Sequence, residues 1–406
     1  MINFNNSDFT FFVRKIFDEP DGQIILHDPR FVGNERKYLM DAMDSNFVSS
    51  VGEYVGKFEQ AIAKYTGAKF AIAAVNGTSA LHISLLLAGV REGDEVITQP
   101  LSFIATCNAI TYTGAKPVFV DVSLDTMGMC PLRLEAFLKE NAVKHPDGKT
   151  YNNKTGHRFA AVVPMHTFGH PCEIDKIAEV CQRYNIPLVE DAAESIGSSY
   201  KGKHTGLFGK LGALSFNGNK IITTGGGGMI LTDDEELAVR AKHITTTAKI
   251  PHRWEYRHDY TAYNYRLTNL AAALGCGQIE QLDFFIQEKR KLVEKYKAYF
   301  ADKTDVTFFV EPENCCSNYW LNAVILKDRY VRDDFLQYTN DHRVMTRPIW
   351  VLSNKLDMYK GCQCGELSNA EWLEDRVVNI PSSVIIKDYY KKINDPSFNP
   401  FHHLIK

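Results

Sequence analysis

The sequence predicts an α/β protein: a large domain with a mostly parallel sheet and helices on both faces, followed by a smaller C-terminal α+β domain. Three observations carry this expectation. Between residues 70 and 191, short apolar runs alternate with amphipathic or apolar helical stretches, the pattern of βαβ units. Beyond Asp233 the chain turns charged and aromatic, and its last hundred residues mix short strands with a helix. The chain has 406 residues, 45% hydrophobic and 23% charged, enough for one large and one small domain of ordinary globular composition. The expected boundaries are an N-terminal segment over 1–30, a large domain over 31–265, and a long connecting helix with the small domain over 266–406.

Residues up to about Asp28 show no clear period. From Asn34, Leu39, Met40 and Met43 suggest a short amphipathic helix, and 47–52 an extended piece ending in a turn. A helix is expected over 54–65 with Phe58, Ile62 and Tyr65 on one face. Strands follow at 70–75, 95–98, 116–122, 160–164 and 187–190, with helices at 80–88, 103–113, 131–138 and 173–184 between them. The polar insert 139–156 has no apolar pattern. A charged helix over 234–243, an aromatic and basic loop over 245–265, and one long helix over 268–293 come next. Strands at 306–310 and 320–324 and a helix near 332–340 complete the series.

A formal charge of −3 gives no electrostatic case for nucleic acid or an anionic membrane. No apolar run approaches bilayer length and the N-terminus lacks the pattern of a secretory signal, so a cytoplasmic protein is expected. The nine cysteines follow no metal-site spacing, and no metal is expected.

Chemistry concentrates in a few stretches. Residues 215–230, SFNGNKIITTGGGGMI, place Lys220 between a strand and a run of four glycines. An immobilised amine there can bond to an aldehyde, although a solvated lysine beside a flexible loop fits the same letters. Asn76-Gly77-Thr78-Ser79 joins a strand to a helix, where free amides and hydroxyls suit a phosphate; capping by Thr78 or Ser79 is the structural alternative. Glu190-Asp191 ends an apolar strand and needs a partner, either a pyridinium nitrogen or an arginine. Phe103, following a strand, can stack on a flat ring or fill the core. Because 76–79, 99–103, 166–169 and 191–194 all follow expected strands, they can share one crevice at the carboxyl edge. A lysine, a ring-nitrogen carboxylate, a phosphate cradle and an aromatic platform are the parts that pyridoxal phosphate requires. A phosphate-loop NTPase is excluded, because the glycines are followed by Met229-Ile230 and the lysine precedes them.

NGTSAL (76–81), EDAAESIG (190–197), the 215–230 stretch and YNYRLTNLAAALG (263–275) resemble the sugar-nucleotide aminotransferases of the DegT/DnrJ/StrS type. The similarity runs from about Pro29 to the stretch 379–383. It implies the aspartate-aminotransferase fold (fold type I) and pyridoxal 5'-phosphate as cofactor, cycling through its pyridoxamine form. Lys220 is then the cofactor-bonded lysine and Asp191 the partner of the ring nitrogen. Gly77, Thr78, Ser79 and Ser215 hold the phosphate, Phe103 stacks on the ring, and Glu194 takes a position where the family more often has glutamine or histidine. Asn264 reaches the phosphate of a neighbouring subunit, implying a homodimer with shared active sites. Arg266, Arg347 and Trp350 are substrate candidates.

The resemblance further implies L-glutamate as amino donor and a keto-sugar on a nucleotide diphosphate as acceptor. The insert 139–156 and VPMHTFGHP (163–171) are most similar to the branch that aminates 4-keto-6-deoxy sugars toward legionaminic-type nonulosonic acids. GDP-perosamine-type 4-aminotransferases and 3-aminotransferases are the alternatives. A dehydratase is disfavoured by the presence of Lys220, and a non-catalytic regulatory relative by the presence of both Lys220 and Asp191.

Overall fold

The computed structural model describes residues 4–387 and Tyr389. Its main sheet is built from a four-stranded piece, in the order Phe70–Ala74, Gly228–Thr232, Leu211–Ser215, Val189–Asp191, and a three-stranded piece, Lys116–Phe119, Glu95–Thr98, Phe159–Val163. Parallel bridges Val162–Leu188 and Met165–Asp191 join the pieces into one sheet. All neighbours are parallel except Gly228–Thr232, which runs antiparallel to both of its own. The expected α/β sheet is therefore present.

Strand periodicity divides the core in two, because successive side chains point to opposite faces. Ile72, Ala74, Ala213 and Ile230 pack on one face with Ala80, Ile83, Ile110 and Ala241 from helices Gly77–Leu87, Ala105–Tyr112 and Glu235–Thr245. Ala73, Leu214, Met229 and Leu231 pack on the other with Phe58, Ile62, Ala272 and Ala273 from Glu53–Thr66 and Asn269–Ile279. Helices Pro131–Asn141 and Ile174–Tyr184 bring Leu134, Phe137, Ile174 and Ile177 to a third cluster that holds Ile97 and Val162. An antiparallel sheet ordered Val306–Phe308, Asn322–Leu326, Val377–Ile380, Arg347–Pro348 forms the C-terminal α+β part, with helix Arg329–Asp341.

Several expectations change. The N-terminal stretch without evident period is a helix, Asn6–Phe17, capped by Asn5, whose side chain accepts from the amides of Ser7 and Asp8. Phe9 and Val13 pack into the C-terminal sheet beside Tyr296, Phe335 and Val378, while the exposed Phe11 hid the spacing. The single helix expected over 268–293 is two, Asn269–Ile279 and Leu282–Phe300. Glu280, at the break, is tied to Asn34 Nδ2 (2.8 Å) and Tyr38 Oη (2.6 Å), and Gln281 N–H bonds back only three residues, to Gln278 O. In helix Glu35–Asp44 the buried side chains are Glu35 and Ala42, whereas Met43 is exposed. Residues 47–52 form bends with no strand neighbour, held through Asn269, whose Nδ2 donates to Phe47 O (2.6 Å). The polar insert contains a hairpin, Ala142–Lys144 against Thr150–Asn152, anchored by Asn152 Nδ2 on buried Glu95 (2.6 Å). No helix among the described residues is long and apolar enough to cross a membrane.

Candidate active site

The carboxyl ends of the parallel strands converge, as such sheets require of a ligand crevice. Asp191 closes strand Val189–Asp191, and its buried carboxylate accepts from Thr106 Oγ1 (2.7 Å) and the Ala193 amide (3.1 Å). Burial raises its pKa against these hydrogen bonds and the fields of Lys220 and His166. Glu190, one residue earlier, points the other way and is saturated: it meets His166 Nε2 at 3.0 Å and accepts from the amides of Gly206 (2.8 Å), Phe208 (2.5 Å) and Gly209 (2.7 Å). The arginine partner considered from sequence is thus not what neutralises this strand end.

Lys220 lies in the loop that joins the antiparallel strands Leu211–Ser215 and Gly228–Thr232. The loop folds on itself: Thr224 N–H bonds to Phe216 O (3.0 Å) and Phe216 N–H to Gly227 O (2.8 Å). Gly225 sits at φ +79°, a left-handed conformation that costs glycine little, and a Cβ on Gly228 would lie 2.3 Å from Asn76 O. The Lys220 side chain is buried, with Nζ 3.1 Å from Glu194 Oε1 and 3.8 Å above the centre of the Trp320 ring. Burial pushes the Glu194 carboxyl up to about 7, against the pull of Lys220 and of the Phe168 amide, which donates to Oε2 (2.9 Å). Phe168 holds φ +57°, unusual for a bulky residue, and that conformation aims its N–H at Glu194.

The phosphate candidates also meet. Helix Gly77–Leu87 starts against Ser215: a Cβ on Gly77 would lie 2.7 Å from Ser215 Cβ, so only glycine lets the two approach. Its cap is Asn76, whose Oδ1 accepts from Ser79 N–H (2.7 Å), rather than Thr78 or Ser79. The amides of Gly77 and Thr78 lead the helix, where an anion is favoured by both free N–H groups and the helix dipole. Phe103 is half exposed, its ring 6.3 Å from that of Trp350, which in turn lies 5.1 Å from buried Phe168. Asn264 and Arg266 pair with each other (Nε to Oδ1, 3.0 Å) beside the Gly77 helix, where Tyr265 O accepts from Val75 N–H (2.8 Å). Arg347 is exposed and donates to Asn340 Oδ1 and Thr346 O (both 2.8 Å), so its guanidinium is committed to the end of helix Arg329–Asp341.

Sequence reading missed Thr106, Phe168, Trp320 and Asn318. Thr106 follows Phe103 by three residues, and Phe168 lies in a stretch already noted after a strand. Trp320 arrives from a hundred positions downstream, so no local spacing points to it.

These residues fit pyridoxal phosphate. They supply a buried amine, a buried carboxylate for a ring nitrogen, a glycine-lined helix start for the phosphate, and the Thr224 hydroxyl, buried with no hydrogen-bond partner.

Residues 30–391 match the DegT/DnrJ/EryC1/StrS aminotransferase family, and the chain belongs to it. It is thereby a pyridoxal-phosphate-dependent sugar aminotransferase. GDP-perosamine synthase of Escherichia coli O157:H7 is 37% identical over 88% of this chain and 93% of that protein. A putative pyridoxal phosphate-dependent aminotransferase, EpsN, of Bacillus subtilis is also 37% identical, over 81% of each chain. The crystal structure of the aminotransferase TlmJ from Streptoalloteichus hindustanus superposes with a TM-score of 0.79 at 27% identity, covering 88% of this chain and 93% of that one.

Proposed function

We propose that this enzyme moves the amino group of L-glutamate to the C4 ketone of a nucleotide-linked 6-deoxy-4-ketohexose. The observation that carries the chemistry is the buried Lys220 amine, 3.1 Å from Glu194, on the same strand edge as Asp191. Similarity to the GDP-perosamine synthases favours a GDP-linked sugar. The insert 139–156 and VPMHTFGHP support a second reading, the N-acetylated sugar of a nonulosonic-acid route.

When bound, pyridoxal phosphate supplies a sink for the electron pair left as the donor's C–H bond breaks. Lys220 Nζ would take that proton from the donor carbon and deliver it to the cofactor carbon. Asp191, oriented by Thr106 and the Ala193 amide, holds the ring nitrogen protonated. Glu194, with its carboxyl near 7, can hold or release a proton beside Nζ at neutral pH. Gly77, Thr78, Ser79 and Ser215 hold the phosphate, Phe103 stacks on the ring with Trp350 beside it, and Asn264 serves the site of a second copy in a homodimer. Arg266 stays a candidate for the sugar nucleotide; the bonds on Arg347 place it behind Trp350 in that role.

The test is a panel of GDP-, UDP- and dTDP-linked 4-keto and 3-keto sugars with L-glutamate, following 2-oxoglutarate and the amino sugar. The expected result is a 4-amino product, fastest from the GDP-linked substrate. Turnover confined to UDP-linked N-acetylated sugars selects the second reading, and turnover confined to 3-keto sugars overturns both. Lys220→Ala should lower the rate by at least about a thousandfold.

A further inference from the structure

We propose that the indole face of Trp320 is the docking place of the Lys220 ammonium group whenever that amine is not joined to the cofactor, which makes Trp320 a catalytic residue of the amino transfer. The inference rests on the role of Lys220 given above.

A lysine that alternately bonds to a cofactor and acts on protons must spend part of each cycle free, in a site with little water. A charged amine there needs a partner on every open side. Glu194 provides one at 3.1 Å, and the ring of Trp320 provides the other, with Nζ 3.8 Å from its centre. The face of an indole carries partial negative charge, and its attraction for a cation grows as water is removed. Trp320 is 4% exposed, so the contact is desolvated.

The ring is also fixed in place by ties that a space-filling tryptophan does not need. Its Nε1–H donates to Asn219 O (2.7 Å), the carbonyl immediately before Lys220, so the platform and the lysine's own turn are locked together. Its backbone N–H donates to Asn318 Oδ1 (2.8 Å), and its carbonyl accepts from the buried Nζ of Lys289 (3.0 Å). The Asn318 amide meanwhile donates to Glu194 O and Ile196 O (both 2.9 Å). One side chain thus spaces both walls of the Lys220 slot, the carboxylate from the large sheet and the indole from the C-terminal part.

The experiment compares wild type, Trp320→Leu and Trp320→Phe in two states. In cofactor-free protein, a brief acetic anhydride pulse is read at Lys220 by mass spectrometry, with exposed Lys57 as internal reference. Losing the face should speed Lys220 labelling about tenfold in Trp320→Leu, and about threefold in Trp320→Phe, whose face is weaker. In the cofactor-loaded enzyme, the half-reaction with L-glutamate should lose rate in the same order while KM stays within about threefold. Urea midpoints identify which variants are folded; if Trp320→Leu is not, the Phe variant alone decides. Unchanged labelling and unchanged half-reaction rate in a folded variant overturn the inference. If Lys220→Ala is inactive while the Trp320 variants match wild type, only this inference fails; if Lys220→Ala retains full activity, the reading of Lys220 itself fails.

Discussion

Glu190 and Asp191 are neighbours of identical chemistry with different work, and backbone pleating is what separates them. Glu190 points into a nest of three amides and His166, all its acceptor capacity used. Asp191 points the other way, with Thr106 and one amide orienting it and capacity to spare for a ring nitrogen. Thr106→Val should therefore weaken cofactor binding more than it destabilises the fold, to be read as a raised Kd for pyridoxal phosphate beside an almost unchanged urea midpoint. His170 is a different residue-scale case: buried edge-on to Phe309 (4.9 Å) and Tyr319 (5.1 Å), with neither ring nitrogen hydrogen-bonded. Burial lowers its pKa from 6.5 to about 3. Between those values the unfolded chain binds a proton that the folded chain refuses, so stability rises with pH across this window and is lost on acidification. His170→Phe should flatten that acid limb by a few kcal/mol, measured as urea midpoints between pH 4 and pH 7.

At the scale of elements, the site depends on close backbone approaches that side chains would block. Gly77→Ala places a methyl 2.7 Å from Ser215 Cβ, pushing the helix start away from the strand end. It should cost about 1–3 kcal/mol of stability and weaken cofactor binding together, seen in denaturant titration and cofactor absorbance. This part was legible in the letters, since NGTS and SFNGNK each carry the residue types their local geometry demands. The glycine run is more mixed: Gly225 is required by its φ and Gly228 by the Asn76 carbonyl, whereas a Cβ on Gly226 would meet only Val75 O, at an ordinary 3.9 Å. What was not legible is whatever depends on distant chain. Trp320 meets Lys220 only through tertiary folding, and the break at Glu280 depends on Asn34 and Tyr38. The helix Asn6–Phe17 was hidden for another reason, because exposed Phe11 blurred a true i, i+4 pairing of Phe9 and Val13.

At the scale of the whole molecule, the sheet brings six co-directional strand ends to one edge, and the C-terminal part lays Trp320 and Trp350 over it. The proposed homodimer makes its own prediction. Asn264→Ala and Lys220→Ala chains, each inactive alone, should recover about a quarter of wild-type activity when co-expressed, because half the dimers then carry one intact site. Absence of recovery would mean that each chain completes its own site. The central claim, that Lys220 is the lysine that carries the cofactor, has a more direct test. Borohydride treatment of the pyridoxal-phosphate-loaded enzyme fixes an aldehyde cofactor to the lysine it is joined to, and peptide mass spectrometry locates it. The expected result is the added mass on the peptide containing Lys220 and none in Lys220→Ala; cofactor fixed on a different lysine, or on none, would contradict that role for Lys220.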